Sequence, residues 1–206
     1  MEVFLHGFAT TPEIWPDGGP QLKFDDLHRE AERVGRQLET GTTLIGWSMG
    51  GMIAMLVAGK FPEKIKDLVL VSTTPKFLSS PDFPAGISPV LLKRLEKRIR
   101  TEGTKAFHAL IFKDGQPVGV AHLSFEQARE ELTELARADL RSELARIKAP
   151  TLIIHGDRDE ICLPAAAQYL HANIRKSELV ILPGIGHAPL IEAPAKINAL
   201  LAKYAG

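Results

Sequence analysis

The chain has 206 residues, 45% of them hydrophobic and 24% charged, the balance of one soluble globular domain with room for a modest insertion. Its 25 basic residues match 25 acidic ones, which argues against a general affinity for nucleic acid and leaves any polyanion-binding patch local. A single cysteine, Cys162, excludes an intramolecular disulfide; with no secretory leader and no apolar run long enough to span a bilayer, a cytoplasmic protein without a membrane partner is expected.

Val3-Phe4-Leu5 is a short strand ending at His6-Gly7. A helix is expected over residues 24–38, where Leu27, Ala31, Val34 and Leu38 recur three or four apart among charges. Residues 42–46 form a second strand, and 49–59 are apolar nearly all round, a buried helix stopped by Phe61-Pro62. A third strand covers 68–72. The interval 73–149 is too long for a simple crossover; it opens rich in turns and then shows helical patterns over 89–100 and, in one or two pieces, 125–144. Strands at 151–155 and 179–182 flank a helix at 165–172, and a last helix runs over 194–204, with Pro194 suited to its first turn. Such alternation predicts an α/β fold: a mostly parallel sheet flanked by helices, its Val/Ile/Leu runs covered on both faces. Residues 1–74 and 147–206 are the expected core. Residues 75–146 are the expected helical cap, inserted over the C-terminal ends of the strands.

The chemistry centres on Gly46-Trp47-Ser48-Met49-Gly50, between a strand and a helix. A serine hydroxyl projected above a sheet needs a sharp, crowded turn, so small residues must stand two before and two after it. The helix N-terminus also favours developing negative charge. Average glycine and serine usage gives such a match by chance with a probability of about 0.07 in a chain of this length, so Ser48 is read as a nucleophile. The base and its orienting acid should follow at the ends of later strands, acid before histidine. The fourth strand runs into Gly156-Asp157-Arg158-Asp159 and the fifth into Pro183-Gly184-Ile185-Gly186-His187. His187 is the expected base. Asp159 is preferred to Asp157, which suits turn stabilisation, and Glu160 is a weaker rival. The N–H groups of Phe8 and Met49 are the expected oxyanion donors, with Gly7 allowing close backbone approach. Phe8, Trp47, Met49, Phe77 and Phe107 are expected to line an apolar acyl pocket. His28, His108, His122 and His171 read as surface or cap residues and His155 as a packed one. No histidine pair stands at metal-ligand spacing with carboxylates, so neither a metal nor a cofactor is expected.

Together these motifs resemble the α/β-hydrolase superfamily over nearly the whole chain. They are most similar to the carboxylesterases of biotin synthesis that cleave pimeloyl-acyl-carrier-protein methyl ester. The likeness rests on His6-Gly7-Phe8, Gly46-Trp47-Ser48-Met49-Gly50-Gly51, Val71-Ser72-Thr73-Thr74-Pro75-Lys76-Phe77 and Gly186-His187-Ala188-Pro189. It implies a serine carboxylesterase working through an acyl-enzyme on a small ester presented by acyl-carrier protein. Rival readings are a short-chain esterase or thioesterase on the same triad and, in another class, a ligand-binding protein without catalysis. The resemblance places Phe107 where the family contacts substrate, and Ile111 where a second contact, a glutamine, is expected. Lys93, Arg94, Lys97, Arg98 and Arg100, with one acid among them, match the basic cap on which the family docks its carrier. Family members also begin with further strands and carry an Asp-x-Pro-Gly-x-Gly-x-Ser loop that this chain lacks. A reduced sheet of about five strands, a more open site and a monomer are expected.

Overall fold

Five runs rich in valine, isoleucine and leucine pair in parallel, in an order that follows the chain. They are β1 (Glu2–Leu5), β2 (Thr42–Trp47), β3 (Ile65–Val71), β4 (Thr151–Gly156) and β5 (Ser177–Leu182). The computed structural model describes residues 1–112 and 118–204. Strands β2 and β4 are buried along their whole length, as continuous apolar runs in a covered parallel sheet should be. The reduced sheet expected from the sequence is thus the one described.

Successive crossovers step the same way along this sheet, and with the right-handed connection usual for parallel strands the helices of such steps lie on one face. Helix α1 (Leu27–Gln37) packs on α2 (Met49–Lys60). Helix α2 packs in turn on a 3-10 turn, Arg141–Arg146, which meets α6 (Pro164–Asn173). With sheet on one side and these neighbours on others, α2 is buried from Met49 to Ala58. Helix α1 begins three residues later than its periodicity predicts. Asp26 caps it by accepting the N–H of Arg29, and Phe24 turns inward, its ring edge-on to His6 at 5.4 Å. After β5 come the short α7 (Pro189–Glu192) and α8 (Pro194–Tyr204), where the Tyr204 hydroxyl donates to Glu178 at 3.3 Å. Among the described residues, no helix is long and apolar enough to cross a membrane.

Three helices rise between β3 and β4: α3 (Pro89–Glu102), α4 (Lys105–Ile111) and α5 (Phe125–Arg137). Ser88 caps α3, and Gly103 ends it at φ 71°, a conformation glycine adopts without strain. A reciprocal Ser124/Gln127 box starts α5. The helical pattern read over 125–144 divides at Arg137, because the 3-10 turn beyond it packs on α2. The expected cap boundaries, 75–146, include residues 113–117, which lie outside the described residues.

Helix α5 is tied to α1 through Glu134, whose Oε1 accepts the first-turn N–H of Leu27 at 3.0 Å. One turn earlier on α5, Glu131 has a buried oxygen with no partner. Burial, and then the charges of Asp25 and Glu130, raise its pKa from 4.5 to about 7. Between those values the folded chain holds a proton the unfolded chain has lost, so stability falls as pH rises through that window, by about 3 kcal/mol in all. Glu131→Gln should therefore raise the melting midpoint by several degrees at pH 8 and leave it unchanged at pH 4; thermal unfolding at both values checks this.

Candidate active site

Ser48 joins β2 to α2 with φ 55° and ψ −124°, a region costly for any residue with a side chain. The turn is held because its surroundings admit nothing larger. A Cβ on Gly46 would lie 2.6 Å from the Gly50 carbonyl oxygen, and one on Gly50 only 2.3 Å from that of His6. From the exit of β3, the Thr73 hydroxyl donates to the Ser48 carbonyl at 2.7 Å. The sequence shows Thr73 only as part of the motif that leaves the third strand and gives it no role, since nothing there marks a hydroxyl with such a distant partner.

The loop after β5 brings His187 to this serine. Its Nε2 lies 3.0 Å from Ser48 Oγ, and its Nδ1 lies 2.8 Å from Asp159 Oδ2. All three side chains are buried. The other carboxylate oxygen, Oδ1, accepts the N–H groups of Ile161 and Cys162, both at 2.9 Å. Burial opposes ionisation of Asp159, but the charge of His187 and hydrogen bonds from His155 and His187 outweigh it and hold the carboxyl below the usual range. Asp157 instead accepts the Gly184 N–H at 2.7 Å, pinning the turn at the end of β5. The indole N–H of Trp47 donates to the His187 carbonyl at 2.8 Å.

The loop after β1 passes close to the serine. A Cβ on Gly7 would lie 3.0 Å from Ser48 Cβ and 3.3 Å from the Trp47 ring. The Gly7 carbonyl accepts the Thr10 hydroxyl at 2.8 Å and His6 Nδ1 at 3.1 Å. Since His6 Nε2 accepts the Leu22 N–H at 3.1 Å, Nδ1 carries the proton, and burial keeps this imidazole below its ordinary pKa. A trans peptide carries its N–H opposite its carbonyl, so this anchor turns the Phe8 N–H the other way. Among the described residues, neither the Phe8 nor the Met49 N–H is bonded to a protein acceptor. Ala9 holds φ 53°, with its carbonyl accepting His108 Nε2 at 2.7 Å and the Ala121 N–H at 2.9 Å. His108, read as a surface or cap residue, lies on α4 and is buried; its partner lies 99 residues away.

Residues 16–200 match the alpha/beta hydrolase family. The chain belongs to that family. It is 30% identical over 215 residues to the pimeloyl-[acyl-carrier protein] methyl ester esterase of Nitrosospira multiformis, a match covering 97% of this chain and 81% of the relative. To the protein of the same name from Nitrosomonas europaea it is 28% identical over 232 residues, covering 93% and 90%. Among solved structures, an esterase from Exiguobacterium antarcticum shares the fold with a TM-score of 0.88 at 23% identity, over 98% of this chain and 90% of that one. The enol-lactonase from Burkholderia xenovorans does so with a TM-score of 0.79 at 18% identity, over 99% and 90%.

Two adjoining cavities serve this α/β-hydrolase site. The smaller touches Ser48 and is lined by Phe8, Met49, Phe77 and Phe107, among others. Phe77 and Phe107 also line the larger, of about 570 Å³, which includes His187 and an apolar wall with Leu91 and Leu95. Its charged members are Arg94, Arg98, Arg158 and Glu160. Two expected pocket residues lie elsewhere. Trp47 is fully buried beneath the His187 loop, where its N–H is used, and Ile111 is buried in the core cluster; neither lines either of these two cavities. Of the five basic residues on α3, only Arg94 and Arg98 face the larger cavity. Lys93 and Lys97 are exposed outside it, and Arg100 lies over the Phe125 ring at 4.9 Å. Arg158 was not singled out in the sequence, although it sits between the two aspartates of the β4 exit. Among the described residues, no group of histidine, cysteine and acidic side chains could hold a metal ion.

Proposed function

We propose that this chain is a serine carboxylesterase that hydrolyses the methyl ester of pimeloyl-acyl-carrier protein. The observation that carries the reading is the hydrogen-bonded line Ser48–His187–Asp159 beside an apolar cavity whose charged lining includes three arginines. The named activity of the relatives from Nitrosospira multiformis and Nitrosomonas europaea supports the substrate.

In this reading Ser48 attacks the ester carbonyl while His187 takes its proton, and Asp159 fixes the imidazole tautomer and steadies its charge. The free N–H groups of Phe8 and Met49 receive the oxyanion. His187 then protonates the departing methoxide to give methanol, and water, activated by the same histidine, attacks the acyl-enzyme, releasing the acid and restoring Ser48. Phe77 and Phe107 contact the acyl chain, whose carrier end emerges past Arg94, Arg98 and Arg158. No step draws on a metal or cofactor.

The test compares hydrolysis of pimeloyl-carrier methyl ester with that of p-nitrophenyl butyrate. Ser48→Ala should abolish both. Reversing charge at Arg94 and Arg98 should slow the carrier ester by about tenfold or more, acting on association, and leave the small ester unchanged. Equal slowing of both would refute carrier docking at these arginines. Activity on the small ester alone would make the protein a general short-chain esterase. No Ser48-dependent activity on either would return it to the ligand-binding reading.

A further inference from the structure

We propose that His155 is a positioning residue for the carboxylate of Asp159, standing behind the hydrogen-bonded line Ser48–His187–Asp159 with its Nε2 against Oδ2. The inference rests on the triad reading above. His155 lies near the end of β4, and both its side chain and that of Asp159 are fully buried. Its Nε2 is 2.7 Å from the Cys162 carbonyl oxygen and 3.3 Å from Asp159 Oδ2. A carbonyl oxygen only accepts, so Nε2 carries the proton and donates it to the Cys162 carbonyl, with Asp159 Oδ2 as a longer second contact. In the neutral ring Nδ1 is then bare, and it is buried with no partner.

An unpaired buried nitrogen destabilises the fold, and a leucine would fill this space without one. The useful part of the side chain is therefore its Nε2–H. Asp159 receives three hydrogen bonds, from the Ile161 and Cys162 N–H groups on Oδ1 and from His187 on Oδ2, and His155 Nε2 lies 3.3 Å from Oδ2 beside them. The Cys162 thiol beside it is pushed up by burial and by the Asp159 charge and stays neutral. Among the described residues, His155 is thus the one N–H group beside Oδ2 other than that of the histidine that does the chemistry. It withdraws charge from that oxygen and keeps the carboxylate from rotating off His187.

Removing the donor should make Asp159 a stronger acceptor for His187, favour the imidazolium, and raise the pH at which activity appears. In His155→Leu, kcat on p-nitrophenyl butyrate and the rate of fluorophosphonate labelling at Ser48 should fall about tenfold with KM unchanged. The acidic limb of kcat/KM should move up by about half a pH unit. His155→Gln, whose amide can restore an N–H to Asp159, should recover most of the rate and return the limb. A purely structural role would change the melting midpoint but not the limb. A folded leucine variant with the native rate and profile would overturn the proposal, as would a loss that glutamine does not rescue. Should the leucine variant fail to fold, ¹⁵N-histidine NMR of the native protein decides: an Nε2–H tautomer at His155 supports the proposal and an Nδ1–H tautomer refutes it. Labelling of native protein but not of Ser48→Ala establishes the hydrolase reading separately from either result.

Discussion

Asp159→Asn should lower kcat by about four orders of magnitude, as the same exchange does in serine proteases, while the chain stays folded. The cause is tautomeric. Two backbone N–H groups, of Ile161 and Cys162, donate to Oδ1, so the amide oxygen must take that side. The amide nitrogen then faces His187 Nδ1, where it can only donate. His187 must accept at Nδ1 and move its proton to Nε2, the atom 3.0 Å from Ser48 Oγ. A protonated Nε2 cannot take the serine proton. The loss should appear with p-nitrophenyl butyrate and in fluorophosphonate labelling, with little change in melting midpoint. A loss below tenfold would remove Asp159 from the catalytic unit.

Gly50→Ala separates two physical effects of opposite sign. Gly50 lies in the first turn of α2, and helix propensity alone makes alanine better there by about 1 kcal/mol. The packing says otherwise. The added Cβ would lie 2.3 Å from the His6 carbonyl oxygen and 2.6 Å from that of Leu5, and these are backbone atoms that cannot swing aside. Relief requires prying the end of β1 from α2, so the expected result is destabilisation of about 3 kcal/mol, measured as a lower urea midpoint. Activity should fall with it, because the same movement separates the Phe8 N–H from the Met49 N–H. A stabilised Gly50→Ala would mean that β1 and α2 are not in this contact.

What could be read from the sequence was what local chemistry encodes. The strands announced themselves as short β-branched runs, and the glycines around Ser48 mark a turn that tolerates no side chain. The order of Asp159 and His187 after separate strands made those residues candidates without any contact being known. Phe24 was misplaced in a helix because an apolar residue at helical spacing looks the same whether it lies on a helix or packs edge-on to His6. The long-range partners were silent for a different reason. Nothing near Trp47 reveals that its indole serves a carbonyl 140 residues away, nor does anything near His108 point to Ala9. His155 lies only four residues before Asp159, yet its bond depends on how the β4 exit folds back.

The order of the sheet bears on how the protein is made. Each strand pairs with the one synthesised just before it, so the sheet can grow by adding strands to one edge as the chain emerges, N-terminal part first. The interval holding the cap, between β3 and β4, is the widest gap between neighbouring strands, but closing a long loop costs little more than closing a short one. Within the chain Gly7 follows only the first strand, whereas His187 follows all five. Hydrolysis of an ester therefore reports completion of the last addition, and chains halted before β5 should hold most of the sheet yet no activity.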